Sequence, residues 1–468
     1  MAGVSHSTPA AARRSPDGRV LTPARILIVG GGGREHALAW RLARDPGVEV
    51  VIGAPGNPGM AELGPVVGDV TADDAAAIVD LAHAEGVDLV VVGPEAPLVA
   101  GLADRLRDAG IPVFGPEAAA ARIEGSKAFC RTVAGQASVP MAEGAVFDAL
   151  GPAVEYARAL GAPLAIKADG LAAGKGVTVC ATLPADEAAL RDALEARVFG
   201  AAGARVVVER ALQGPEASVI ALCDATTALA LPAARDHKRI LDGDRGPNTG
   251  GMGAYSPLPD LDDAAVSAIV EAFHRPVLAA LARRDTPFRG ALYAGLMLTA
   301  AGPRLLEFNA RLGDPEAQGL LPRLDVPLAP LLLAAATDRL GPVAAALGID
   351  SPLLPVRPGA TVAVVMAASG YPSAPRSGDH IEGLDAARAE GALVFQAGTA
   401  LDAGGALVTH GGRVLSVVGE GTHLHEAAEV AYRAAEQISF AGRQYRRDIG
   451  RVVADRAVAG RAGQAVLA

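Results

Sequence analysis

The chain has 468 residues and a net charge of −10; half its residues are hydrophobic and 3% are aromatic. That length suggests two to four domains with sizeable cores. There is no basic patch, there are few aromatic platforms, and no apolar stretch reaches the ~18 residues of a membrane span, so neither nucleic-acid binding nor a membrane partner is expected.

Residues 1–24 contain Ala, Ser, Pro and Arg but no apolar core, so no secretory signal is expected. They read as a disordered tail, with a transit peptide as the alternative. The fold starts near Arg25. Residues 26–29 are apolar, Gly30-Gly31-Gly32-Gly33 follows, and Leu38 and Leu42 lie four apart in a helix over 34–44. Strands at 48–52, 89–92 and 112–114 then alternate with helices at 75–84 and 98–109. This alternation predicts a doubly wound parallel sheet with helices on both faces.

From about Glu124 the pattern changes to α+β. A helix at 127–134 is followed by strands at 164–167 and 177–180, joined by a glycine-rich loop. Strands at 205–209 and 218–222, a long helix at 266–282 and paired strands at 291–298 and 304–309 complete the unit. Helix 331–336 and the proline-rich stretch 351–358 read as a linker. Strands at 361–366, 393–396 and 413–418 and a helix at 426–438 form a small C-terminal α+β domain. The expected division is a tail (1–24), an N-terminal domain (25–123), a central domain (124–330, with a lid subdomain at about 145–205), a linker (331–358), a C-terminal domain (359–446) and a tail (447–468). Cys130, Cys180 and Cys223 are scattered, which fits structural thiols in a reducing compartment. A cytoplasmic monomer is the expectation.

Three motifs carry chemistry. In the first, a dinucleotide fingerprint anchored at Gly31 would put His36 at the third glycine, and Ile52-Gly53 stands where an acidic residue belongs. The N–H groups at a helix start still suit a phosphate. A mononucleotide or sugar-phosphate site, a structural turn and a dinucleotide site all stay open. The second, from Lys167 through Gly170, Gly174 and Lys175 to Gly176, is not a Walker A loop. A glycine loop between antiparallel strands with a lysine near each end can close over nucleotide phosphates; a plain hairpin is the alternative. In the third, Leu306-Glu307-Phe308-Asn309, the side chains of Glu307 and Asn309 share one strand face and offer oxygen ligands to Mg²⁺, while Leu306 and Phe308 are expected on the packed face. Simple solvent exposure of the polar face is the competing reading.

These motifs, with Gly93-Pro94-Glu95-Ala96-Pro97-Leu98, Asn248-Thr249-Gly250-Gly251-Met252-Gly253 and above all Arg311-Leu312-Gly313-Asp314-Pro315-Glu316, resemble the glycinamide ribonucleotide synthetase family of the ATP-grasp superfamily. The resemblance runs from about Arg25 to Arg446. It implies ATP-dependent joining of glycine to 5-phosphoribosylamine through glycyl phosphate, with Mg²⁺, or Mn²⁺ as the alternative, as the metal. It places Lys127, Lys167, Gly174, Lys175 and Gly176 at the ATP phosphates. Glu209 and Leu212 would hold adenine, Glu216 the ribose, and Glu307 and Asn309 the metal. Gly31, Gly32, Gly33, Asn57, Gly59, Gly93, Pro94 and Glu95 would receive phosphoribosylamine. Asp236, Lys238, Arg311 and Asp314 would border the reacting carboxylate. Arg210-Ala211 departs from the family's acidic and aromatic pair, which implies looser adenine packing. No fused downstream enzyme is expected. Another ATP-grasp carboxylate–amine ligase, a purine carboxylase and a catalytically silent nucleotide-binding regulator are the alternatives.

Overall fold

Four short apolar strands build the first sheet in the order Val50–Pro55, Arg25–Gly30, Leu89–Val92, Val113–Phe114, all parallel. Successive strand side chains point to opposite faces, and here both faces are covered. Ile26, Ile28 and Val91 pack with Leu38 and Leu42 of the helix Gly33–Leu42. Leu27, Val29, Val90 and Val92 pack with Ile78, Leu98, Leu102 and Leu106 on the other side. The computed structural model describes residues 20–172 and 176–451. Strand order reverses between Arg25–Gly30 and Leu89–Val92. The loops leaving these two strands, 30–33 and 93–95, therefore flank the crevice that such a reversal opens at the carboxyl edge of a sheet. The single helix expected over 98–109 is two, Glu95–Val99 and Leu102–Asp108. Gly101 breaks it with φ +91°, a left-handed conformation that glycine takes without a Cβ clash.

The central part holds two antiparallel sheets. One runs Gly144–Phe147, Val206–Arg210, Leu164–Ala168, Val177–Cys180. Leu164, Ile166, Val206 and Val208 pack on the helices Leu150–Leu160 and Leu183–Leu194. The alternate residues Lys167, Val207 and Glu209 face a cavity. The other runs Ala228–Ala230, Glu216–Cys223, Gly290–Thr299, Gly302–Asn309. Its core face packs against residues of Asp263–Ala282, the one helix among the described residues long and apolar enough to cross a membrane; half of that helix's most apolar window is buried in this core. The helix widens to a π turn at Val270–His274, just before Pro276, which has no N–H to donate to residue 272.

A β-bulge changes one expected orientation. Leu296 pairs with Leu305 and Gly295 with Glu307, which leaves Leu306 as the extra residue. Leu305 and Phe308 enter the core. Leu306, expected beside Phe308, lines the cavity next to Glu307 instead.

The last sheet runs Arg235–Asp236, Gly253–Ser256, Ala360–Ala367, Arg413–Gly421, Leu393–Gln396. Two of its five strands thus come from the central segment, and Gly253–Ser256 pairs directly with Ala360–Ala367. Residues 331–358, expected as a linker, contain most of the helix Ala329–Ala336 and all of Leu340–Ala346. They also form a strap in which the Leu354 N–H donates to Ala230 at 2.8 Å and the Arg357 N–H to Arg323 at 2.7 Å.

His36 ties the first sheet to the last. It is buried on the helix Gly33–Leu42, and its Nδ1 accepts the Gln396 N–H at 2.8 Å. Burial, helped by Arg388, lowers its pKa to about 4. At this residue the native state therefore binds fewer protons than the unfolded chain between about pH 6.5 and 4, so His36 makes stability fall as pH drops through that window. We expect His36→Gln to flatten the fall in melting temperature between pH 7 and 4. Buried His274, also lowered to about 4 by burial, retains a dependence of the same sign. An unchanged slope in a folded variant would remove His36 as a source.

Candidate functional site

A cavity lies between the inner face of the Gly144–Phe147 sheet and the strand Gly302–Asn309. Ile123, Met141, Val207, Leu305 and Leu306 give it apolar walls, and Lys127, Lys167, Glu209 and Glu307 bring charge to it. Lys167 contacts Glu209 and donates to the Leu306 carbonyl at 2.8 Å. Arg131 lies 3.4 Å from the second Glu209 oxygen. Lys127 Nζ meets Glu307 Oε2 at 2.7 Å. Lys127 first, then Lys238 and Lys167, hold the Glu307 carboxyl well below the usual range despite burial. Asn309 is buried one strand repeat further on. Lys127 starts the helix Lys127–Gln136, which Ser126 caps by accepting the Phe129 N–H at 3.1 Å. Asp169 accepts from Ser126 Oγ at 2.7 Å and from the Ala128 N–H at 2.9 Å, so it fastens the glycine loop's base to this helix. Gly176 ends that loop, and its carbonyl accepts the Ala168 N–H at 2.7 Å. Gly174 and Lys175 lie outside the described residues.

Next along the crevice is a polar cluster. Lys238 contacts Glu216 and lies 4.0 Å from Asp236. Glu216, expected at a ribose, is thus paired with Lys238, while Leu212 lies in the loop before the strand Glu216–Cys223. Ser218 Oγ donates to Glu316 Oε1 at 3.0 Å and lies 2.7 Å from the Tyr293 hydroxyl. Burial pushes Asp236 up to about 7; Lys238 opposes this, and Glu316 and Glu216 add to it.

At the far end the first sheet meets the segment after Asn309. Arg311 spans two carboxylates, Glu95 at 3.1 Å and Glu124 at 3.0 Å, and Glu124 also accepts the Ala310 N–H at 2.7 Å. Asp314 is gripped by Arg413 at 3.1 Å and accepts from Gln318 at 2.7 Å. Arg413 also donates to the Gly250 carbonyl at 2.7 Å. The glycine loop is partly engaged from within: the Gly32 N–H donates to Glu35 Oε2 at 2.7 Å, and Arg34 holds the other Glu35 oxygen at 2.6 Å. A Cβ on Gly93 would overlap this Glu35 carboxylate, and one on Gly33 would sit 2.8 Å from the Gln318 amide. Gly31 presses on Gly56, and Gly59 on His36. The Asn57 amide donates to Gly31 and Gln396, and its oxygen caps the helix Pro58–Ala61, so all its side-chain groups are used inside the fold. Pro94 leads into the helix Glu95–Val99.

Sequence reasoning missed Glu124, Glu35, Arg413, Gln318, Ser218, Tyr293 and Glu316. Glu316 carried a local signal, because it closes the motif that contains Arg311 and Asp314, and so did Glu35, three residues after Gly32. Gln318 stands one helical turn after Asp314, and the others become neighbours of the site through the tertiary fold.

Models of the phosphoribosylglycinamide synthetase N domain, ATP-grasp (A) domain and C domain match residues 24–124, 125–317 and 361–452. The phosphoribosylamine–glycine ligase of Caulobacter vibrioides is 48% identical over 425 residues, covering 91% of this chain and 97% of its own. That of Allochromatium vinosum is 50% identical over 428 residues, covering 91% and 98%. The crystal structure of phosphoribosylamine–glycine ligase from Thermotoga maritima superposes with a TM-score of 0.77 at 33% identity, covering 91% and 99%. The biotin carboxylase domain of 2-oxoglutarate carboxylase from Hydrogenobacter thermophilus shares the fold at 16% identity, with a TM-score of 0.66.

Asp236 generates a test. The native state holds its proton up to about pH 7, whereas an unfolded carboxyl loses it near pH 4. The native state then binds more protons in that window, so this group makes stability fall as pH rises from about 4 to 7. His36 and His274 act with the opposite sign over most of this window, so Asp236→Asn should make stability rise more steeply with pH in denaturant titrations. A variant as pH-dependent as the parent would show that Asp236 is ionised throughout.

Proposed function

The chain belongs to the phosphoribosylglycinamide synthetase family, and we propose a division of labour among its residues in the ATP-dependent ligation of glycine to 5-phosphoribosylamine. The products are glycinamide ribonucleotide, ADP and phosphate, a step of de novo purine synthesis. The observation that carries the residue assignment is the single segment 305–316. It passes from the apolar cavity, past Glu307 and Asn309, to Arg311, Asp314 and Glu316 at the edge of the first sheet.

The cavity suits the adenine of ATP, with Glu209 and the backbone near Leu212 at its polar edge. Lys127, Lys167, Lys175 and the glycine loop, including Gly174 and Gly176, neutralise the phosphates. Glu216 takes the ribose once Lys238 turns toward the reacting groups. Two oxygen side chains, Glu307 and Asn309, fit a divalent ion that takes its remaining ligands from phosphate and water; no cluster of three or more His, Cys, Asp or Glu ligands occurs among the described residues. When bound, Mg²⁺, or Mn²⁺ in its place, withdraws charge from the β- and γ-phosphates. A carboxylate is a poor electrophile. Glycine's carboxylate therefore attacks the γ-phosphorus first, the bond to the β-phosphate oxygen breaks, and glycyl phosphate and ADP form. The amine of phosphoribosylamine then attacks the acyl carbon and expels phosphate. Lys238 and Arg311 hold the carboxylate and the developing charge in place, so positioning and charge neutralisation supply the rate. Asp236 and Asp314 orient the amine. Gly31, Gly32, Gly33, Gly59, Gly93, Pro94, Glu95 and the backbone of Asn57 shape the acceptor site at the sheet edge. The working form is a cytoplasmic monomer without nucleic-acid or membrane partners.

Release of ADP from ATP, Mg²⁺, glycine and phosphoribosylamine, dependent on both of the last two, tests the reaction. Glu307→Gln should lower turnover at least ~100-fold at a temperature where the variant is still folded, the scale of one lost electrostatic stabiliser, and should also lower the melting temperature, because Lys127 loses its partner. Near-normal turnover at limiting Mg²⁺ would take Glu307 out of the metal site. Gly32→Val should raise the KM for phosphoribosylamine strongly and leave that for ATP nearly unchanged. The reverse pattern in a folded variant would mean that the two halves of the site are assigned the wrong way round.

A further inference from the structure

Every nitrogen of Arg311 is engaged. Nε pairs with Glu95, Nη2 with Glu124, and Nη1 donates to the Leu312 carbonyl at 3.3 Å. One guanidinium therefore faces two carboxylates; Nε has a single N–H and Glu95 takes it, so an incoming carboxylate can form a bidentate pair through Nε only if Glu95 leaves. The two are not equal. Glu124 is 5% exposed and doubly held, by Arg311 and by the Ala310 N–H. Removing it would strand a buried acceptor and a buried N–H. Glu95 has a 32% exposed side chain, makes one contact to Arg311, and stands at the start of a short helix at the sheet edge. Glu95 is the partner that can give way.

The geometry points to Glu95 as an exchangeable placeholder on Arg311: glycine's carboxylate displaces it, and the freed Glu95 carboxylate then accepts hydrogen bonds from the amine of phosphoribosylamine. This rests on the proposed placement of glycine's carboxylate at Arg311. In the empty site the two residues satisfy each other with the same pair of chemical groups that the two reactants bring, an anion and an N–H donor. Filling Arg311 frees Glu95 and filling Glu95 frees Arg311, so the two substrates bind with positive coupling, and the coupling is reciprocal. Glu124 stays in place as the positioning residue that keeps the guanidinium aimed during the exchange.

The test is calorimetric titration of glycine into the full-length chain with Mg²⁺ and a non-hydrolysable ATP analogue, alongside steady-state KM values for phosphoribosylamine. In Glu95→Gln, glycine should bind about five-fold more tightly, since a partly exposed ion pair no longer competes. The KM for phosphoribosylamine should rise about ten-fold or more. A merely structural Glu95 would weaken both or neither. Unchanged or weaker glycine binding overturns the placeholder, the weaker outcome meaning that Glu95 holds glycine's own ammonium. If Glu95→Gln does not fold, Glu95→Ala is read by the same signs. Arg311→Lys separates the two levels. It should weaken glycine binding, and if it does so while Glu95→Gln fails to tighten it, the exchange is wrong and the placement of glycine stands. If Arg311→Lys leaves glycine binding untouched, the placement itself is wrong.

Discussion

A guanidinium withdrawn from most of its water has to be neutralised where it stands, and Arg311 meets that requirement with carboxylates from two different parts of the chain. Glu124 ends the first unit and Glu95 sits at the edge of its sheet. Burial alone would push the Arg311 charge down; Glu124 and Glu95 outweigh it and hold the group cationic. Because Glu124 also takes the Ala310 N–H, the same contact fixes the backbone just after the proposed metal ligand Asn309. The distance between the proposed nucleotide half and the proposed acceptor half of the crevice is therefore set by ionic geometry rather than by loop packing.

The same logic extends to the C-terminal part. Its main sheet is completed by Gly253–Ser256 and Arg235–Asp236 from the central segment. Asp236, on an edge strand of this sheet, and Arg413, at the start of its strand Arg413–Gly421, are thereby brought to one site. Arg413 reaches Asp314 and Gly250, and the Tyr371 hydroxyl accepts the Gly250 N–H at 3.0 Å. His36 and Asn57 close the remaining gap through Gln396. A C-terminal unit tied down by backbone pairing and buried hydrogen bonds can orient side chains at the site; a tethered one could not.

What was legible in the sequence follows from the range of the interactions involved. The parallel sheet, the antiparallel pair ending at Asn309 and the glycine loops are local patterns of period and punctuation, and most appear within a few residues of where the pattern puts them. The failures are non-local or concern a single residue. The bulge at Leu306 depends on pairing with Gly295 and Leu296, and no period-2 reading sees an inserted residue. The break at Gly101 was written in the sequence, but the apolar residues on both sides mask it. Arg413 carries no motif; it matters because strands far apart in sequence lie side by side, whereas Gln318 stands one helical turn after Asp314, just past the end of the quoted motif. The quoted motif contained Glu316, but its partners Ser218 and Tyr293 stand on other strands, so its place in a buried network could not be read from the motif. The family resemblance placed Asn57 at the acceptor, yet its side-chain hydrogen bonds go to the fold itself.

Three pairs, Lys127–Glu307, Lys238–Glu216 and Arg311–Glu95, line one crevice, and each joins a group suited to an anion with one suited to a cation or donor. Left single in a partly desolvated site, each charge would cost several kcal/mol, so mutual pairing is what lets this density of charge exist in the empty fold. The pairing also acts on selectivity. A ligand of one sign must break a pair and strand its partner, whereas a matched set, phosphate with its metal or carboxylate with an amine, satisfies both halves at once. The arrangement thus favours complete sets of reactants over lone anions. It does so with the residues that the chemistry requires in any case, because a lysine strong enough to hold a phosphate and a glutamate strong enough to hold a metal will find each other when neither is present.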